Sequence, residues 1–134
     1  MRISSTEELS ELADKHFRLY MLMNKWTRLL QDNKSIKDFF VKNNYYHIAI
    51  YGFNYVGETL ERELKYSDIE IAYIIDRNAE YMYAQERLIT PNDNYDTVDV
   101  LVVTVLDNTC KLVDELRKKC KFNVVTIEEV IGGV

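Results

Sequence analysis

Gly52, Asn54 and Gly57 follow directly on the apolar run His47 to Tyr51, and Asp76 closes a second apolar run 19 residues after Gly57. That spacing, between a strand and a helix, is suited to receiving a pyrophosphate. One position makes a tight turn, one lets the anion approach the backbone, and one lets the helix pack closely on the strand. Gly52 supplies the turn and Gly57 the close packing, whereas Asn54 brings a side chain to the place where a glycine would leave room for phosphates. Asn tolerates positive φ better than other non-glycine residues, so the turn is expected to survive with its space narrowed. A helix starting near Tyr55 would offer free N–H groups and a positive dipole end to an anion. Phe53 and Tyr55, bulky beside it, would either cover a nucleotide or fill its place.

The position of Asp76 is near the distance at which an acidic residue grips the ribose hydroxyls of NAD. The alternative is that Asp76, followed by Arg77 and Asn78, only caps the turn that leaves the strand. Arg77 could meet a 2′-phosphate, but Asp76 would repel one, so NAD is favoured over NADP if either binds. Thr104, Asp107 and Asn108 would line the opposite side of the same crevice, or serve as a helix cap.

These residues need a scaffold, and the periodicity supplies one. The expected elements are a strand His47 to Tyr51, a helix Tyr55 to about Tyr66, a strand Ile69 to Ile75, and a short edge strand at Arg87 to Thr90 closed by Pro91. Then come the apolar strand Val98 to Val105, a helix capped by Asp107 and running to about Lys119, a strand Asn123 to Ile127, and a last turn to Ile131. Val56, Leu60 and Leu64 should face inward, with Glu58/Arg62 and Glu61/Lys65 as outward pairs. Strands alternating with helices predict an α/β fold: a parallel sheet of about five strands in the order 3-2-1-4-5, with helices on both faces. Ligands of such sheets bind at the switch point, where the first and fourth strands lie side by side.

Residues 1–46 form a helical arm ahead of this lobe at 47–134. Residues 5 to 32 lack Gly and Pro and open with Ser5 three before Glu8, a capping-box pattern. Leu9, Leu12, His16, Leu19, Met23, Trp26 and Leu30 repeat at alternating spacings of 3 and 4, an apolar seam along a helix roughly 40 Å long. That exceeds what the lobe can cover, so the seam is expected either to pair with the same helix of a second chain, placing Met23, Trp26 and Leu30 in a homodimer interface, or to bend back into the core. A second helix, 35–43, has Ser35 and Asp38 as its capping pair and Ile36, Phe39 and Phe40 as its buried face.

Charge and composition exclude several roles. Residues 1–46 carry 8 Lys/Arg against 6 Asp/Glu, while residues 47–134 carry 9 against 16. An acidic lobe repels a polyanion, so nucleic-acid binding is not expected. No run approaches the roughly 18 apolar residues of a membrane span, and the start has no secretory pattern, so a cytoplasmic location is expected. Cys110 and Cys120 are too few for a disulfide framework and too far apart for a close metal-ligand pair.

The strand "IAIYG", the terminal "IID", and "TIEE" opening the last helix resemble small Rossmann-type, NAD(P)-binding-like proteins of bacterial surface-polysaccharide gene clusters. The likeness spans about residues 24 to 131. It implies a nucleotide or nucleotide-sugar connection in cell-envelope glycan assembly, with a partner enzyme of that assembly. Such proteins commonly have Gly at the position of Asn54.

A catalytic set is missing. A hydride-transferring sugar epimerase of this general fold needs Tyr and Lys separated by three residues, and Tyr20, Tyr51, Tyr73 and Tyr81 are followed at that spacing by Asn24, Tyr55, Arg77 and Gln85. No nucleophile elbow, P-loop or His-Glu-x-x-His run occurs. Three expectations stand: a non-catalytic nucleotide-binding subunit or sensor; an interaction module whose site Phe53, Asn54 and Tyr55 have closed; and an enzyme completed by a residue from a second chain.

Overall fold

The computed structural model describes residues 5–134. It contains five parallel strands, β1 (His47–Tyr51), β2 (Glu70–Ile75), β3 (Arg87–Ile89), β4 (Val100–Val103) and β5 (Asn123–Thr126). They form one sheet in the order β3-β2-β1-β4-β5. The fold is the expected α/β arrangement, and Tyr51 lies opposite Val103 where β1 meets β4.

Strand alternation sorts the core into two layers. Ile48, Ile50, Val100 and Val102 point to one face, under α3 (Tyr55–Leu64), α5 (Ile127–Gly132) and the two N-terminal helices. Ala49, Leu101 and Val103 point to the other, which Val113 and Leu116 of α4 (Thr109–Lys119) cover. All four residues of β4 are buried, as both faces require in a covered parallel strand.

The long helix α1 (Ser5–Gln31) is continuous over nearly the whole expected range. Ser5 is already helical, and the position before it lies outside the described residues. The stripe that α1 buries differs from the seam expected. Leu22 and Trp26 are buried and Leu19, Met23 and Leu29 half-buried, whereas Leu9, Leu12 and Leu30 are exposed. Trp26, expected in a subunit interface, is 1% exposed in the chain's own core. The reason is Glu63 of α3. Its Oε1 accepts from the Trp26 indole N–H at 2.7 Å, and its Oε2 accepts from the Ile36 N–H at 2.7 Å and the Ser35 hydroxyl at 3.0 Å. One carboxylate thus ties α1, the start of α2 (Lys37–Lys42) and α3 together, with charge-assisted hydrogen bonds of the stronger kind.

Three local expectations are corrected. Asp107 does not cap α4; Asn108 holds the cap position in a left-handed conformation, φ 47°, without a side-chain cap bond. Glu61 does not pair outward with Lys65 but turns in towards Glu86, whose carboxyl faces it. No Glu58–Arg62 ion pair forms among the described residues. Thr126, by contrast, caps α5 through a 3.1 Å bond from the Glu129 N–H to its hydroxyl oxygen.

Candidate functional site

The turn after β1 is built on two glycines with different duties. Gly52 has φ +103°, a left-handed conformation that side chains disfavour, and a Cβ there would lie 2.6 Å from the Thr104 hydroxyl. A Cβ on Gly57 would lie 2.3 Å from the Gly52 carbonyl oxygen. The helix therefore sits against the turn as closely as backbone permits.

Asn54 does not use the positive φ that its type tolerates. Its φ is −87°, and it serves as the N-cap of α3. Its Oδ1 accepts from the Gly57 N–H at 2.9 Å, and its Nδ2 donates to the Thr104 carbonyl at 3.3 Å. The side chain is thus a strut from the turn to the end of β4, and it takes one of the N–H groups that a phosphate would otherwise use.

Thr104 is fully buried and does not reach the crevice surface. Its hydroxyl donates to the Gly52 carbonyl at 2.6 Å, and its N–H donates to the Tyr51 carbonyl at 3.0 Å. Phe53, expected beside the ligand, is 8% exposed with its ring in the main core. Its N–H donates to Asp76 Oδ2 at 2.8 Å. Asp76 Oδ1 meanwhile accepts from the Asn78 N–H at 2.9 Å. Asp76 consequently fastens the turn after β1 to the turn after β2, and each of its oxygens keeps a further lone pair for an outside donor. Tyr55 stands at the rim, 86% exposed.

No aromatic ring fills the hollow between these groups. A cavity of about 340 Å³ remains at the carboxyl ends of β1 and β4, lined by Tyr51, Gly52, Asn54, Asp76 and Arg77 on the sheet side and by Lys15 and Leu19 of α1 on the other. A more open hollow of about 610 Å³ shares Lys15, Arg77, Leu106 and Asp107 with it. The structure thus brings together Gly52, Asn54, Tyr55, Asp76 and Arg77 and leaves Phe53, Gly57 and Thr104 as supports behind them.

The cavity's charges are unequally engaged. Lys15 pairs with Asp107 at 2.9 Å, both exposed. Arg18, one turn further on, donates to the Leu106 carbonyl at 2.7 Å and pairs with Glu128. Arg77 has no hydrogen bond or ion pair among the described residues. It does act on Tyr51: burial pushes the Tyr51 phenol above its ordinary range, and the Arg77 charge only partly opposes this. Tyr51 therefore stays protonated at neutral pH and can donate a hydrogen bond, but it is a poor base.

Sequence reasoning missed Tyr51, Lys15 and Leu19. Tyr51 carried a signal, as the last residue of the strand before the glycine turn. Lys15 and Leu19 carried none, because they approach from another part of the chain. Among the described residues no group of three or more His, Cys, Asp or Glu is arranged to hold a metal ion, and no helix is long and apolar enough to cross a membrane. No protein-family model, curated protein or solved structure gives a significant match to the chain.

Proposed function

We propose that this chain is a non-catalytic, nucleotide-binding subunit or sensor whose ligand enters the cavity between the β1 turn and α1. The observation that carries this reading is Arg77: a guanidinium without a hydrogen-bond or ion-pair partner among the described residues, at the switch point of a parallel sheet, beside a cavity of about 340 Å³. An unpaired cation there is suited to a phosphate, which Arg binds in a bidentate fork. The remaining lone pairs of Asp76 are suited to ribose hydroxyls, and the Tyr51 phenol to a further acceptor. Asp76 beside the ribose would disfavour a 2′-phosphate, which favours NAD over NADP.

The volume lies near the small end of the roughly 300–1,000 Å³ range of ligand pockets, so it suits one nucleotide half, with the rest of a larger ligand in the adjoining open hollow. Asn54 narrows the phosphate position, and this weakens binding compared with a glycine there. The resemblance to proteins of surface-polysaccharide clusters makes UDP-sugars candidates beside NAD, and a glycan-assembly enzyme a candidate partner. Catalysis is not part of the proposal, because no Tyr is followed by Lys at the spacing that hydride transfer needs. Since α1 forms one wall, an occupied cavity would hold α1 against the sheet, and the exposed apolar face of α1 gives such a sensor an output surface.

Thermal unfolding with millimolar NAD, NADP or a UDP-sugar tests this reading. A ligand present at 100 times its Kd should add roughly 2.7 kcal/mol. Arg77→Ala should abolish the shift while leaving the unliganded stability unchanged. The reading fails if none of the three shifts the wild-type transition, and the competing reading, an interaction module that binds no nucleotide, then stands.

A further inference from the structure

Between the cavity and β3 runs a segment, Ala79 to Glu86, with few attachments. Its backbone hydrogen bonds return to its own start: the Ala79 N–H donates to the Asp76 carbonyl, Tyr81 to Asn78, and Met82 to Ala79. From Tyr81 onward the side chains alternate outward and inward as in a strand, yet the ladder with β2 begins only at Arg87. Tyr81 and Tyr83 are exposed. Met82 and Ala84 turn in, half-buried against the main core, and Glu86 follows them. Glu86 is the segment's one inward polar side chain.

What Glu86 meets is a second carboxyl, that of Glu61 on α3. Each of the two residues buries one oxygen that has no hydrogen-bond donor, and no cation pairs with either among the described residues. Carboxylates are acceptors only, so neither can satisfy the other until one proton lies between them. With that proton the pair links segment to helix; without it, two like charges oppose each other where water reaches poorly. The other charges that act on Glu61 come from its own helix, Glu58 adding to the repulsion and Lys65 opposing it. Burial first, and the Glu86 carboxyl second, push the Glu61 carboxyl up to about 7.

We propose that residues 79–86 form a strap, fastened to α3 by one proton shared between Glu61 and Glu86, and that losing this proton frees the strap and loosens the turn bearing Arg77. The proton belongs to the fastened state, so the strap is held at low pH and released as pH rises through about 7. Arg77 sits in the turn directly ahead of the strap. Asp76 stays anchored in either state, because it accepts from the Phe53 N–H and donates its own N–H to the Ile89 carbonyl at 3.0 Å. Release thus frees the cavity's unpaired cation and leaves its carboxylate in place. The strap stands apart from nucleotide binding, and only its consequence for a ligand rests on that reading.

Amide hydrogen exchange of the full chain without nucleotide tests the strap, with wild type and Glu61→Gln compared at the same pH so that the intrinsic exchange chemistry cancels. The Gln amide can donate to Glu86 at any pH and keeps the strap fastened. At about pH 8, residues 79–86 should exchange about 10-fold faster in wild type than in Glu61→Gln, and at about pH 5.5 the two should agree within about 2-fold. Glu86→Gln should behave as Glu61→Gln does. A wild-type to variant ratio that is the same at both pH values overturns the proposal, and so does a Glu86→Gln protein that still opens at high pH. For the ligand, NAD should bind wild type about 3-fold or more weakly at about pH 8 than at about pH 5.5, relative to Glu61→Gln. An equal pH dependence in the two proteins, with the strap opening, overturns the link to Arg77. If NAD, NADP and a UDP-sugar bind at neither pH, the nucleotide reading fails, while the exchange ratio still decides the strap.

Discussion

On the sheet side of the cavity, the turn from Gly52 to Gly57 is fastened from every direction. Asn54 spans to β4, Asp76 holds the Phe53 N–H from β2, the Thr104 hydroxyl holds the Gly52 carbonyl, and no space exists for a methyl group on either glycine. On the opposite side, α1 reaches the cavity through half-buried Leu19 and an ion pair whose side chains are 40% and 55% exposed. Its further attachments are also side chains, Arg18 to the Leu106 carbonyl and Glu128, and Trp26 to Glu63 further along. The comparison teaches that the two walls differ in stiffness because one is made of backbone contacts and the other of a helix held by side chains alone. A ligand entering between them would find a fixed floor and an adjustable wall.

Breaking the stiff wall should have the largest effect. Gly57→Ala forces a methyl group against the Gly52 carbonyl, and since backbone cannot give way as a side chain can, we expect a loss of about 3 kcal/mol or more in denaturant unfolding. A loss below about 1 kcal/mol would mean that the turn is looser than described.

Asn54 divides the wall's rigidity from its capacity to bind. Asn54→Ala removes the cap and the strut together and should cost about 1–2 kcal/mol, whereas Asn54→Gly should cost only a few tenths, because glycine is tolerated at an N-cap. Asn54→Gly also frees the Gly57 N–H and empties the phosphate position. A nucleotide that stabilises the wild type should therefore stabilise this variant more, and equal stabilisation would remove Asn54 as the narrowing residue.

The stiff wall has one soft point, behind α3. Burial pushes the Glu61 carboxyl up to about 7, with the facing Glu86 carboxyl and the charge of Glu58 adding to the rise and Lys65 opposing it. Glu61 and Glu86 each have one buried oxygen without a hydrogen-bond partner. Because the folded pKa lies above the ordinary value, the contact contributes fully below about pH 4.5, and its contribution is lost as pH rises through about 7. Glu61→Gln should thus be more stable than wild type at pH 8 and should lose that advantage at pH 4.5. The difference should be no more than about 1 kcal/mol, since solvent reaches part of the pair. A difference independent of pH would show that the two carboxyls do not share a proton.

The adjustable wall should yield the smallest effect. Lys15→Ala removes an exposed ion pair and is expected to change stability by less than about 0.5 kcal/mol. Hydrogen exchange in the first half of α1 should nevertheless rise, while exchange around Trp26 stays unchanged. A global loss of stability would contradict the proposed difference between the walls.

The sequence made the sheet legible because its signals are local. Apolar runs at Ile48, Ile74 and Val102, each followed by a turn residue, specify buried parallel strands, and the crossover rule then orders them. Gly52 and Gly57 were legible for the same reason. Asn54 was open to two interpretations: a residue type at home both in left-handed turns and at helix caps sits just before a helix, and the cap prevailed. The buried side of α1 was not legible, since the core that takes up Trp26 and the Glu63 that receives its indole N–H, 37 positions later, lie elsewhere in the chain. The roles of Phe53 and Thr104 depend likewise on Asp76 and Gly52, partners that no local window contains.

The attachments of Arg18 span 88 residues to Leu106 and 110 to Glu128. During synthesis the second of these contacts cannot close until β5 and α5 have left the ribosome. The cavity therefore acquires its second wall only once α5 has been made, and until then a nascent chain exposes the strand termini and the first helix separately, each available to a chaperone or to another copy still being made.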